Sequence, residues 1–262
     1  MTCGHKNPGL KIGFTERGDG GLDTSWFERR SSFDGIVVIT KNVTAPCAER
    51  LLTCVHENYP IMLHATCTGW GGTVIEPRVP TAEIQMASVA KIIKNGFPGN
   101  RTVLRIDPVI PTKEGLERFR HVLRLARFYG LLPGLRVRMS VMDEYRHVKT
   151  RFAARGLRPA YPDGAFQAST EQFLAVANIM RENADITFET CAETAFENVR
   201  NSVRTGCLST ADLTAMGLSA NQGTCPLNPQ GRNGCLCLPW KREVFAVRRP
   251  CAHGCAYCYW KD

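Results

Sequence analysis

The chain has 262 residues, 44% hydrophobic and 22% charged, with 33 Lys and Arg against 24 Asp and Glu, a formal charge of +9. This profile excludes a disordered or fibrous chain, and no apolar run nears the roughly 18 to 20 residues that cross a bilayer. The opening Met1–Pro8 shows no apolar core after its basic residue, so no secretory signal is expected, and the cytoplasm is the expected compartment. A basic balance favours polyanionic partners, nucleic acid above all. Eight of the twelve cysteines lie at or after Cys191. In a reducing compartment such clustering points to metal or cluster ligands rather than disulfides.

Residues 1–33 are Gly-rich and read as an N-terminal arm with one strand at Leu10–Thr15. Residues 34–199 carry the regular pattern. Gly35–Thr40 and Ile61–Thr66 read as buried strands, and Ala45–Asn58 between them as a helix. A Gly-rich loop follows, then a helix from the Thr81 cap to Asn95. Thr102–Ile106 is a third strand, Lys113–Tyr129 a helix with an apolar stripe, and Leu135–Met142 a fourth strand. The connection Asp143–Thr170 leads to a helix at Glu171–Asn183 and a fifth strand at Asp185–Phe188. Residues 200–240 are rich in Gly, Pro, Asn and Cys and look irregular. Residues 241–262 hold a last strand at Val244–Val247 and a cysteine loop. Six strands alternating with helices imply a parallel sheet, either doubly wound or a partial barrel, with chemistry at the carboxyl ends of the strands.

The strongest motif is Cys251-Ala-His-Gly-Cys255-Ala-Tyr-Cys258. Three thiolates on one tight loop can hold three irons of a [4Fe–4S] cube, leaving the fourth open. The competing reading is zinc, with His253 or another cysteine as fourth ligand. Cys191, Cys207, Cys225, Cys235 and Cys237 fall in a stretch too Gly- and Pro-rich to build a core, and four of them could hold an auxiliary cluster or zinc. Alternation on Thr102–Asp107 turns Arg105 and Asp107 inward, where the Arg can either clamp a ligand carboxylate or form a structural ion pair. His64 and Thr66 share a face of their strand, with His64 read as a hydrogen-bonded core residue. Lys41 and Cys67 end strands at the reactive face; Lys41 could meet a ligand and Cys67 could donate a hydrogen atom. Arg146, Lys149, Arg151, Arg155 and Arg158, interleaved with aromatics, suit phosphates and exposed bases, or else form the solvated face of a helix at Glu144–Ala154.

The Cys-x3-Cys-x2-Cys loop, with an aromatic before its last cysteine, resembles the radical S-adenosylmethionine (SAM) superfamily. There SAM chelates the open iron and is cleaved reductively to a 5′-deoxyadenosyl radical that takes hydrogen from substrate. The segments Thr40-Lys41-Asn42, Thr66-Cys67-Thr68-Gly69, Glu76-Pro77 and Arg105–Pro111 resemble the spore photoproduct lyase branch. Together with Cys191-Ala192-Glu193 and Cys235-Leu236-Cys237 they resemble still more a bacterial family of unknown function that ends in the same loop.

The resemblance covers about residues 22–260. It implies a partial (β/α)6 TIM-like barrel, circularly permuted, with Val244–Val247 closing beside Ile36–Thr40. It further implies Tyr257 near the adenine, Thr66, Thr68, Arg105 and Asp107 around SAM, and Cys191, Cys207, Cys235 and Cys237 as the auxiliary set. The superfamily's Gly-Gly-Glu is absent. The activity implied is hydrogen abstraction from a nucleobase, a thymine type in DNA, with lyase or isomerase outcome and a reductant such as flavodoxin or ferredoxin. The alternatives are a small-molecule or peptide substrate, or a zinc-stabilised nucleic-acid-binding module without catalysis.

Overall fold

The computed structural model describes residues 9–161, 164–219, 234–245 and 251–260. Among these residues eight strands form one sheet in which every pairing is parallel. They are β1 (Ile12–Phe14), β2 (Gly35–Thr40), β3 (Ile61–Thr66), β4 (Thr102–Val109), β5 (Arg136–Val141), β6 (Phe188–Cys191), β7 (Ser202–Thr205) and β8 (Lys241–Glu243). Six helices join them: α1 (Ala45–His56), α2 (Ala82–Lys94), α3 (Lys113–Phe128), α4 (Arg146–Ala154), α5 (Thr170–Glu182) and α6 (Thr210–Ala215). No helix of the described residues is long and apolar enough to cross a membrane.

The sheet order is β7-β6-β5-β4-β3-β2-β1-β8. From β1 to β7 each strand lies beside its neighbour in sequence, and the order does not reverse as it does in a doubly wound sheet. One parity of strand residues, including Val38, Leu63, Leu104 and Val137, packs under Leu51, Met86, Phe119 and Ile179 of α1, α2, α3 and α5. The other parity, with Phe14, Val37, Met62 and Val103, packs against Leu208, Leu213 and Met216 in and around α6. Arg101, just before β4, donates through Nε to the Ala215 carbonyl at 3.0 Å, so α6 closes the amino end of this inner face. The carboxyl ends stay open.

The largest departures from expectation lie at the termini. The segment read as an arm supplies β1, which inserts between β2 and β8. The last strand therefore does not close beside Ile36–Thr40. It comes three residues earlier than expected, as the charged Lys241–Glu243, and among the described residues pairs with β1 alone. Charge suits an edge strand, which is why apolar patterning missed it. Of the expected Val244–Val247, Ala246 and Val247 lie outside the described residues, and Val244 continues the ladder by donating to the Phe14 carbonyl at 2.9 Å. Residues 200–240, read as irregular, contain β7 and α6, both too short for periodicity to register. The fifth strand begins at Phe188, where it was expected to end.

Candidate functional site

The carboxyl ends of the strands open into a cavity of about 550 Å³. Cys251, Cys255 and Cys258 line it on one side, and Cys191, Cys207, Cys235 and Cys237 on another. Of the loop cysteines Cys251 is exposed and Cys255 is buried.

Local chemistry holds the loop in place. Gly254 takes a left-handed φ of +60°, and a Cβ there would lie 2.7 Å from the Arg78 guanidinium. The Ala256 amide donates to the Ile75 carbonyl at 2.8 Å. Arg155 donates to the carbonyls of Val74 at 3.0 Å and Gly254 at 2.8 Å. Arg151 donates to the carbonyls of Cys258 and, at 2.7 Å, Trp260. Both arginines, expected on nucleic acid, thus serve the loop, because its turns leave carbonyls that no ladder satisfies. Lys149 donates to the Gly164 carbonyl. Arg146 and Arg158 are exposed.

His253, weighed as a zinc ligand, lines the same cavity, but its ring nitrogens are taken by other groups. Its Nε2 lies 2.9 Å from Asp19 Oδ2 and its Nδ1 3.1 Å from the Arg78 carbonyl, so both nitrogens are engaged. Asp19 also accepts from the Thr40 hydroxyl at 2.6 Å and the Lys41 amide at 2.7 Å. One buried carboxylate therefore ties the N-terminal segment, the end of β2 and the cysteine loop together. Burial alone would raise the Asp19 carboxyl, but the hydrogen bond and charge of His253 and the bonds from Lys41 and Thr40 hold it below 3.8. A depressed carboxyl stabilises the fold above its unfolded value and loses that contribution as the pH falls through its folded one. Asp19→Asn is expected to cost on the order of 1–3 kcal/mol at pH 7. The gap to wild type in urea unfolding should shrink below pH 4; a gap independent of pH contradicts this role.

A second group backs the loop. Lys41 Nζ donates to Glu76 Oε1 at 2.9 Å and to the Tyr257 hydroxyl at 2.6 Å, and Tyr257 donates to Glu76. Burial opposes the Lys41 charge, but Glu76 and Cys255 outweigh it and raise its pKa. Burial pushes the Cys255 thiol up to about 12 against the pull of Lys41. Metal binding there must therefore displace protons.

At the end of β4, Arg105 donates to Asp107, which also accepts from Ser140 Oγ at 2.5 Å. The expected inward pair is thus an ion pair on the cavity wall, and the Arg105 Nε is buried without a partner. Thr66 lines the cavity, while Thr68 sits behind Tyr257 and touches its hydroxyl. Cys67 does not reach the cavity. It follows Thr66 and so packs on the helix-covered face, 1% exposed, its thiol pushed by burial up to about 12. His64 is buried as expected, but neither ring nitrogen has a hydrogen-bond partner, Nε2 standing 4.0 Å from Asp212 Oδ1, and burial and Arg138 lower its pKa.

In the opposite corner Cys191 and Cys207 sulfurs lie 3.6 Å apart. The Cys207 amide donates to Cys237 Sγ at 3.1 Å, and the Cys237 amide to Cys235 Sγ at 3.5 Å. Cys225 lies outside the described residues. Sequence reasoning missed the buried charges beneath: Arg138 donates to Glu189 Oε2 at 2.6 Å, Asp212 Oδ1 at 3.1 Å and the Cys207 carbonyl at 2.8 Å. It also missed Asp19 and the tie of Glu76 to Tyr257, whose partners lie 234 and 181 residues away.

A single tetrahedral ion needs thiolates about 3.8 Å apart, given its metal–sulfur bonds of roughly 2.3 Å. Among the described residues no three His, Cys, Asp or Glu side chains are placed to hold one ion. A four-iron cube carries each thiolate on a separate iron and spreads them wider. The three loop thiols line one cavity, and both nitrogens of the loop's histidine are already engaged.

No curated protein matches the chain. The family described as a domain of unknown function, DUF1848, matches residues 26–260. That match takes in both cysteine groups and every strand except β1, and the chain belongs to the DUF1848 family.

Proposed function

We propose that this chain is a radical SAM enzyme whose Cys251, Cys255 and Cys258 hold a [4Fe–4S] cluster. The observation that carries the reading is the placement of all three thiols on one cavity at the carboxyl ends of a parallel sheet, with the His253 ring engaged by Asp19. In this reading the progressive strand order is that of a permuted partial barrel of the (β/α)6 type, widened by β1 and β7. When bound, the cluster and SAM supply a 5′-deoxyadenosyl radical that takes hydrogen from substrate.

The protein's part is to bind, orient and shield. Lys41 places positive charge beside Cys255, and Glu76 and Tyr257 keep it there. The unpartnered Nε of Arg105 is a donor for an anionic group in the cavity. The substrate in this reading is a nucleobase, flipped out of DNA into the cavity, with lyase or isomerase outcome. Its support is the +9 charge and the exposed Arg146 and Arg158. Arg151 and Arg155 bind carbonyls of the cysteine loop and its neighbours instead, and a small-molecule substrate is the second reading. A reductant of the flavodoxin or ferredoxin class would supply the electron.

Anaerobic wild-type protein is expected to be brown, to hold iron and sulfide in equal amounts, to bleach with dithionite and to release 5′-deoxyadenosine from SAM. A colourless protein with zinc on the loop overturns the proposal. Retention on DNA that weakens with salt supports the nucleobase; indifference to salt with no retention removes it.

A further inference from the structure

The Cys191–Cys207 pair stands apart from the loop. Cys191 ends β6 in register with Thr205 of β7, and Cys207 follows two residues later. Their sulfurs touch at 3.6 Å, about 1.6 Å more than a disulfide bond. Both line the cavity and neither is fully buried, so a small molecule in the cavity can reach them.

The backbone on either side is built for this approach. Ala192 is held at a left-handed φ of +60°, a conformation that costs a residue with a Cβ and that clusters at functional sites. Gly206, just before Cys207, has no room for a side chain: a Cβ there would lie 2.5 Å from the Cys237 Cα. Two thiolates on one tetrahedral ion would sit about as close, but among the described residues no group of three His, Cys, Asp or Glu is placed to complete such a site, and thiolates on separate irons of a cube do not sit in contact.

We propose that Cys191 and Cys207 form a redox-active dithiol that reduces a disulfide-class oxidant entering the cavity. One cysteine thiolate attacks a sulfur of the external disulfide, breaking that bond and releasing one thiol. The second attacks the mixed disulfide and releases the other thiol. The Cys191–Cys207 bond forms, the external bond is lost, two electrons pass to the oxidant, and the two cysteine protons end on the released thiols.

The proposal does not rest on the radical reading, so the test uses the full-length Cys255→Ala variant alongside wild type. Each is treated anaerobically with oxidised glutathione, alkylated, digested and mapped by mass spectrometry. A cross-link between the Cys191 and Cys207 peptides is expected in both, with one equivalent of glutathione disulfide consumed. Cys191→Ser and Cys207→Ser should each trap a glutathione adduct instead, while Cys54→Ser should leave the cross-link unchanged. The proposal is overturned if both thiols stay alkylatable, if the cross-link runs to Cys225, or if Cys255→Ala retains a metal that Cys191→Ser loses.

Discussion

Cys255→Ala is expected to lower loop-bound iron more than tenfold and to abolish SAM cleavage while leaving the fold intact. Cys255 is the middle thiol of the loop, buried beside Lys41, and removing it takes away a proposed ligand without breaking any of the contacts that hold the loop. Those contacts run through the Ala256 amide and the carbonyls of Gly254, Cys258 and Trp260, all main-chain groups. Replacing one small thiol by a methyl should cost on the order of 1 kcal/mol of stability, within reach of urea denaturation. Cys67→Ala is the matched control. Its thiol lies on the far side of the sheet, so iron content and turnover should both survive. Loss of turnover in Cys67→Ala with iron retained would restore that residue as a hydrogen donor. Iron retained at the wild-type level in Cys255→Ala would remove the loop from the chemistry.

The second large effect lies below the cavity. Arg138→Met is expected to destabilise the protein by about 3–5 kcal/mol, because it leaves carboxylates buried with one partner fewer. Asp212 is fully buried and Glu189 nearly so, and Arg138 contacts both. Arg136 also reaches both, at 2.8 Å to Asp212 and 3.0 Å to Glu189, but its side chain is 25% exposed. Arg136→Met should therefore cost less, on the order of 1–2 kcal/mol, since water can enter where the guanidinium was. Equal losses for the two arginines, measured by equilibrium urea unfolding, would contradict this ranking. Burial would raise the Asp212 carboxyl, but Arg138, His64 and Arg136 hold it well below 3.8. Acid should therefore weaken the network once the pH falls below the ordinary carboxylate range. Because Arg138 also donates to the Cys207 carbonyl, the variant should slow or scatter cross-linking of Cys191 to Cys207 even in the folded fraction.

Strands β2 and β3 and helices α1, α2, α3 and α5 were legible from the chain to within about two residues, because each carries its own signal. Gly35–Thr40 is β-branched, α1 opens on a Thr44 cap, and α5 has a Ser169 capping box. The cysteine loop was legible for the same reason: its ligand spacing is local. Elements whose stability comes from partners were not. β8 has three charged residues and exists as a strand only through pairing with β1; β1 lies inside the strand expected at Leu10–Thr15, but its place between β2 and β8 was not legible. Helix α6 has six residues, too few to stand alone, and is held by Arg136 and Arg138 through Asp212.

The same division governs the charges. Composition counts arginines but does not say what they face. Arg151 and Arg155 were read as cations for phosphate, yet they satisfy carbonyls about a hundred residues later in the chain. Asp19 stands in a Gly-rich stretch with no pattern, yet it grips His253 from the other end of the molecule. By itself the sequence determined the alternating α/β class and a loop of three thiols, because helix period, β-branched runs and ligand spacing act within a few residues. Only the tertiary structure decided which face each thiol sees and which charges are spent inside, since both depend on strand register and on groups brought together from distant parts of the chain.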